Sequence, residues 1–344
     1  MPLEPRLRSP KEQPLFVLSL VFSLLFWAIL VFTIVGVVYG VLIGLFLLVA
    51  HVLYLAHVRG NGLRLSDKQL PDLYGRVRAA SAALGLPRTP EVYVLQGGGV
   101  LNAFATKFLS RRFVVLLSDL VEGCQDPRQL DFVVGHELAH HAAGHLRWKA
   151  VLAPSMLVPL LGPAYSRACE YTCDRAGASL CGDTEQAMRG LTVLAAGGRL
   201  AQAADLEAFM AQADEAGHFW MAVNELGASH PYLCKRVAAV KEYVAPGSTR
   251  VAGRNPLAYP LAPFLAVGGG GAGLGGAMVV VAIIGILAAI AIPNFVRYQE
   301  RAREAAAAAA LMEQQAQEAG QAADQGTAEG DDASAPLPED GKAE

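Results

Sequence analysis

From Pro14 to Val58 the chain runs 45 residues without Asp, Glu, Lys or Arg. At 1.5 Å per helical residue, that is about twice the ~20 residues needed to cross the hydrocarbon core of a bilayer. The run therefore predicts two transmembrane helices, roughly 15–35 and 38–58. Gly36 and Gly40 fall near their turn, and Trp27, Tyr39 and Tyr54 sit at the interfaces or between the helices. A cleaved signal peptide does not fit, because the apolar region is too long and no small-residue cleavage site leads into a polar start. Arg6, Arg8 and Lys11 precede the hairpin and Arg59, Arg64 and Lys68 follow it, whereas the turn carries no charge. Both flanks are thus expected in the cytoplasm. A net charge of −3 with no basic stripe excludes a nucleic-acid partner.

Downstream, His136-Glu137-Leu138-Ala139-His140 names a chemistry. On a helix the histidines at i and i+4 share one face, where both imidazoles reach a single tetrahedral Zn²⁺. Glu137 then reaches a water at the metal. The helix is expected on local grounds: Asp126 can cap it, Pro127 suits its first turn, and Leu130, Val133, Val134, Leu138 and Ala142 form an apolar stripe. A catalytic zinc takes three protein ligands. His145 is not the third, since the metzincin motif needs its glycine one position before Gly144 and its histidine one after His145; it reads as a helix-end or second-shell histidine. Glu170 and Asp174 are again spaced i and i+4. On a helix antiparallel to the first, Glu170 completes the shell and Asp174 accepts the free ring N–H of a ligating histidine. Cys169 and Cys173 are assigned to a face other than that of Glu170, as buried structural cysteines. Five cysteines are odd in number, so a fully paired disulfide framework is excluded and a reducing compartment is the simpler reading.

Five motifs occur in one order: Asn102-Ala103-Phe104-Ala105, His-Glu-Leu-Ala-His, Ser166-Arg167 before Glu170-x-x-x-Asp174, Ser229-His230-Pro231, and Arg236. Together they resemble the family of integral-membrane zinc endopeptidases that includes HtpX and the CAAX prenyl proteases. The resemblance covers roughly residues 60 to 245. It implies that Asn102, Ala103, Phe104 and Ala105 belong to an edge strand beside which the substrate lies. It also implies that His230 stabilises the oxyanion and that Arg236 supports the site by pairing with a carboxylate or the substrate. One Zn²⁺, polypeptide substrates that are misfolded or membrane-inserted, and a bacterial inner (cytoplasmic) membrane with the protease domain facing the cytoplasm follow from the same likeness. The alternative from another class is a pilus- or secretion-associated membrane scaffold whose protease-like domain binds without cleaving. An intact Glu137 argues against it.

The expected fold is α+β: a mainly helical zincin-type metalloprotease domain with a short strand block, an N-terminal transmembrane hairpin and one C-terminal transmembrane helix. Its parts are 1–60 for the flank and hairpin, 61–245 for the protease domain, 246–277 for a Pro/Gly-rich linker, 278–298 for the last span and 299–344 for the tail. Leu70, Leu73, Val77, Ala80 and Leu84 predict a helix ended by Gly85 and Pro87. Val92–Leu95, Asn102–Thr106 and Phe113–Leu117 predict strands. Ala150–Tyr165, uncharged but with three prolines, is expected to lie against the membrane or the hairpin. Met278–Phe295 resembles the membrane helix of type IV pilins. The pilin glutamate falls at Gly276, however, and Gly271 follows no basic residue, so the segment reads as an anchor rather than a working pilin. The tail, with four basic and eleven acidic residues from Arg297 onward, is expected to begin helical and end disordered.

Overall fold

The computed structural model describes residues 3–265 and 273–328. Met1–Ala277 form one compact unit and Met278–Glu344 a second. The first opens with α1 (Glu12–Val31) and α2 (Ile34–Asn61), whose spans have mean hydropathies of 2.6 and 2.4. Both helices are long and apolar enough to cross a membrane, and their leucines, isoleucines and phenylalanines, such as Leu25, Ile29, Phe46 and Leu53, are exposed. The turn falls at Phe32–Thr33, a few residues ahead of Gly36 and Gly40, which were expected near it. Thr33 caps α2 by accepting the Gly36 N–H at 3.1 Å, and a Cβ on Gly36 would lie 2.6 Å from the Leu30 carbonyl oxygen. Gly36 is thus needed inside the first turn of α2.

A four-stranded sheet follows, made of β1 (Leu63–Arg64), β2 (Glu91–Leu95), β3 (Ala103–Phe108) and β4 (Arg111–Leu117), with α3 (Pro71–Ala83) between the first two. The order is β1-β2-β4-β3, so β3 lies at an edge, paired antiparallel to β4 with Ala105 opposite Val114. Strand side chains alternate between faces. Val92, Val114 and Leu116 enter the main core, where Leu73, Val77 and Ala80 of α3 also lie; Tyr93, Phe113 and Val115 pack instead against Leu55 and Val58 of α2. The second hairpin helix is therefore continuous with the outer face of the sheet.

Among the described residues eleven helices follow up to residue 265: α4 (Ser118–Gly123), α5 (Pro127–Ala142), α6 (His145–Trp148), α7 (Ala153–Met156), α8 (Leu161–Cys181), α9 (Thr184–Ala196), α10 (Gly198–Ala203), α11 (Leu206–Glu215), α12 (Phe219–Gly227), α13 (Leu233–Val244) and α14 (Ala258–Leu265). The 150–165 stretch lies against the hairpin as expected. Trp27 Nε1 donates to the Val151 carbonyl at 2.9 Å, the Ser155 N–H meets Ser23 Oγ at 3.2 Å, and Leu152 and Tyr165 pack with Leu15, Phe16 and Leu20. Part of the stretch expected as a linker is helical instead. Ala258 and Ala262 of α14 are buried against Ala222, Val223 and Leu226 of α12. Small residues at i and i+4 give α14 a flat stripe despite Pro263. The N-terminal flank is also packed: Leu3 and Leu7 join the main core, and the Ser9 N–H donates to Thr172 Oγ1 at 2.8 Å.

The second unit is described by α15 (Gly273–Ala328), a 56-residue helix containing Pro293. The pilin-like segment and the Ala-rich run both fall on it. Gly271 and the end of the tail, residues 329–344, lie outside the described residues.

The crossing of α5 and α8 positions the site. A Cβ on Gly177 would stand 2.6 Å from the Phe132 carbonyl oxygen, and one on Gly135 would stand 3.1 Å from the Gly177 Cα. The two backbones are therefore in contact. Gly177→Ala should overpack this crossing by about 1–3 kcal/mol and lower the thermal unfolding midpoint of the detergent-solubilised protein. Gly75→Ala on α3 is the control, because its Cβ would meet nothing within 4 Å; equal midpoints for the two variants would refute the close-contact reading.

Candidate metal centre

Asp126 caps α5 by accepting the Arg128 N–H at 2.8 Å, and Pro127 occupies the first turn. That start sets the helix phase that buries His136, Glu137, Leu138 and Ala139 while Phe132 and Val133 fill the core. Opposite stands α8. Its contacts run in reverse order along α5, Gly177 near Phe132, Asp174 near His136 and Glu170 near His140, so the two helices are antiparallel.

The outer nitrogen of each histidine is engaged and the inner one is left for the centre. His136 Nδ1 meets Asp174 Oδ1 at 2.9 Å, and His140 Nδ1 meets His145 Nδ1 at 3.1 Å. The two Nε2 atoms then face Glu170, at 3.4 Å from Oε2 and 3.5 Å from Oε1. Ligands about 2.0–2.2 Å from a tetrahedral ion stand about 3.3–3.5 Å apart, so this spacing fits a cation among the three groups. Arg236 of α13 grips Asp174 with two hydrogen bonds, Nε to Oδ2 at 2.8 Å and Nη2 to Oδ1 at 2.7 Å, and its Nη2 lies 3.4 Å from Glu170 Oε2. His230, on the exposed α12–α13 loop, has its Nε2 3.6 Å from Glu170 Oε1 and its Nδ1 2.9 Å from Ser229 Oγ. Asn102 precedes β3, and its side chain accepts the Ala103 N–H at 2.9 Å; Ala103, Phe104 and Ala105 lie on the edge strand, which packs on α5.

The electrostatics fit the same cation. Burial would raise the pKa of Glu170, but the His136 hydrogen bond and the Arg236 charge hold it well below the carboxylate range. Asp174 is lowered too, as Arg236 outweighs burial. His136 is lifted to about 10 because Asp174 and Glu170 overcome burial; with no metal its proton supplies the positive charge the carboxylates demand. His140 is pushed well below its ordinary value by burial and keeps a free lone pair. Glu137 is pushed up to about 7, chiefly by burial and then by the Glu170 charge, against the lowering effects of His136, Arg236 and the Ala105 main chain.

Two residues enter the site differently from the sequence reading. Cys173 does share the Glu170 face, since i and i+3 are neighbours on a helix. Its sulfur and the ring nitrogens of His136 and His140 all lie within 4.8 Å of one another. Burial raises the thiol well above its usual range, whereas the Glu170 carboxylate already faces both Nε2 atoms. In the sequence Arg167 is no more than part of a motif. Buried on α8, it places Nη1 at 2.8, 2.9 and 2.6 Å from the carbonyl oxygens of Glu225, Leu226 and Ala228. It thereby ends α12 and fixes the backbone that leads into Ser229-His230.

The model of peptidase family M48 matches residues 67–159 and 148–244, together more than half of the chain. A protein described as a protease HtpX homolog from Bacillus pumilus is 37% identical over 86 residues, covering 25% of this chain and 27% of that protein. The chain thus spans about a quarter of that relative's length.

In the metal-free protein, folded Glu137 keeps its proton to about pH 7. The unfolded chain releases it near the ordinary value of about 4.3. Between these values the folded state binds the extra proton, so stability falls as pH rises. Glu137→Gln removes this loss. The variant should gain on the order of 3 kcal/mol relative to the parent between pH 4.5 and 7.5, read from denaturant unfolding with chelator present. A pH-independent difference would refute the buried, protonated Glu137.

Proposed function

The chain belongs to peptidase family M48, a family of metalloproteases, and from that premise we propose that it is a membrane-bound zinc-dependent endopeptidase. The observation that carries this reading is the convergence of His136 Nε2, His140 Nε2 and the Glu170 carboxylate, with Glu137 buried beside them. Two imidazoles and one carboxylate are a donor set of catalytic zinc sites. Zinc held there supplies Lewis acidity to the scissile carbonyl and makes a water nucleophilic near neutral pH.

The residues of the chain do the rest. Glu137, buried beside the ligands, takes the proton of the attacking water and passes it to the leaving amine. His230 stands on the open side of the centre and meets the developing oxyanion; groups in that role contribute about 2.7–4 kcal/mol. Asp174 orients His136, and Arg236 keeps Asp174 and Glu170 anionic and in place. β3 pairs on one side with β4, which leaves its other edge for an extended substrate that binds through main-chain hydrogen bonds. Such binding reads little sequence, which suits the quality control or processing of misfolded and membrane proteins. The positive flanks of the hairpin favour the bacterial cytoplasmic membrane with the catalytic domain inside the cell. Within α15, residues 278–298 serve as a third span.

Glu137→Gln should keep stoichiometric zinc and lose peptide hydrolysis by several orders of magnitude, measured by metal analysis and casein cleavage in detergent. Activity near that of the parent would sink the mechanism. The third ligand is tested by a pair of variants. Glu170→Ala should purify without zinc, whereas Cys173→Ala should keep it; the opposite outcome would assign the third position to the sulfur.

A further inference from the structure

The two histidines of the centre differ in what lies behind them. Behind His136 stands a carboxylate, Asp174. Behind His140 stands another imidazole, and two neutral rings share a hydrogen bond only when one donates and the other accepts. With its Nε2 lone pair turned inward, His140 carries its proton on Nδ1 and donates it to His145 Nδ1. The Cys173 sulfur lies 3.8 Å from that same nitrogen, so the shorter His140 contact takes its one lone pair. The proton of His145 then resides on Nε2. That nitrogen is buried without a hydrogen bond, and Glu12 Oε1 lies 3.4 Å from it. At that distance the carboxylate is the one charged acceptor facing the ring nitrogen among the contacts of the described residues.

Glu12 is an unexpected residue to find there. It is the first residue of α1, yet only 3% exposed, and its carboxylate is held by Arg8 and by the Thr172 hydroxyl. Further bonds fix the segment before it: Arg8 Nη2 donates to the Ala143 carbonyl at 3.0 Å, and Arg175 Nη1 donates to the Arg8 carbonyl at 2.9 Å. Gly144, at φ +85°, ends the α5 run in a left-handed turn that swings His145 back beneath His140.

We propose that Glu12, acting through His145, is the carboxylate that fixes the tautomer and orientation of His140. The head of the first membrane helix is thus a positioning element of the metal centre. This rests on the assignment of His136, His140 and Glu170 as the ligands. The arrangement mirrors Asp174 behind His136, with one imidazole interposed. Outer partners of this type typically change metal affinity by about 10–100-fold when removed.

The test uses the full-length protein in detergent, loaded with Co²⁺, whose paramagnetism shifts the exchangeable Nδ1–H resonance of each ligating histidine out of the protein envelope. The wild type should show two such signals. In His145→Phe one signal should vanish into fast exchange while the other, belonging to His136, stays. Zn²⁺ affinity, from competition with a chromophoric chelator, should fall about tenfold. Glu12→Gln should shift or lose the same single signal with a several-fold drop in affinity, and His145→Gln, which restores an acceptor, should recover both. The His136 signal reports that each variant is folded at the site. Unchanged signals and affinity in Glu12→Gln, or loss of both signals together in that variant, would overturn the proposal. A wild type with no shifted signals at all would overturn the ligand assignment, and the relay with it.

Discussion

The contact between Gly135 and Gly177 governs the distances in the metal centre. Two helices carrying ordinary side chains at their crossing pack 8–10 Å apart. Here the missing Cβ atoms let the backbones touch, with the Phe132 carbonyl aimed at the place a side chain would fill. At this close crossing the short side chains of Asp174 and Glu170 reach from α8 to the histidines of α5. A burial cost follows, because two carboxylates and a guanidinium are taken out of water together. Arg236 offsets part of it with a bidentate grip on Asp174 and a second contact to Glu170, and the remaining negative charge is what draws a proton to His136 or a cation to the centre.

What was legible in the sequence was local. His136, Glu137 and His140 are set by a period of 3.6 that any helix obeys, and Asp126 and Pro127 mark the start of that helix unambiguously. Glu170 and Asp174 repeat the i, i+4 signature, and the edge position of β3 followed from the family likeness. Cys173 obeys the same geometry, since i+3 shares the face that i+4 does, and so stands beside Glu170. Other features depended on contacts remote in sequence. Nothing local tells that Leu3 and Leu7 bury themselves in the main core, that Arg167 closes the end of α12 some sixty residues later, or that Ala258 and Ala262 find a partner in α12. Eleven residues are too few to show a period, and small residues in a Pro-rich stretch look like a linker until a matching stripe is present.

The strand block is a case where local reading and tertiary packing agree for different reasons. β-branched and aromatic runs name the strands. Their alternation, however, serves two cores at once: Val114 and Leu116 turn inward, whereas Phe113 and Val115 turn to the end of α2. His141 adds a pin between the layers by placing Nε2 3.0 Å from the Phe113 carbonyl. The sheet is thereby held between the metal helix and the hairpin.

That attachment couples the edge strand to α2. Its 28 residues are about 42 Å long, more than the about 30 Å of a bilayer core, and Leu55 and Val58 near its C-terminal end clasp the sheet that carries the edge strand. The edge strand is therefore fixed in register with the last turns of α2, and any tilt of that helix is passed to the strand that lies over α5.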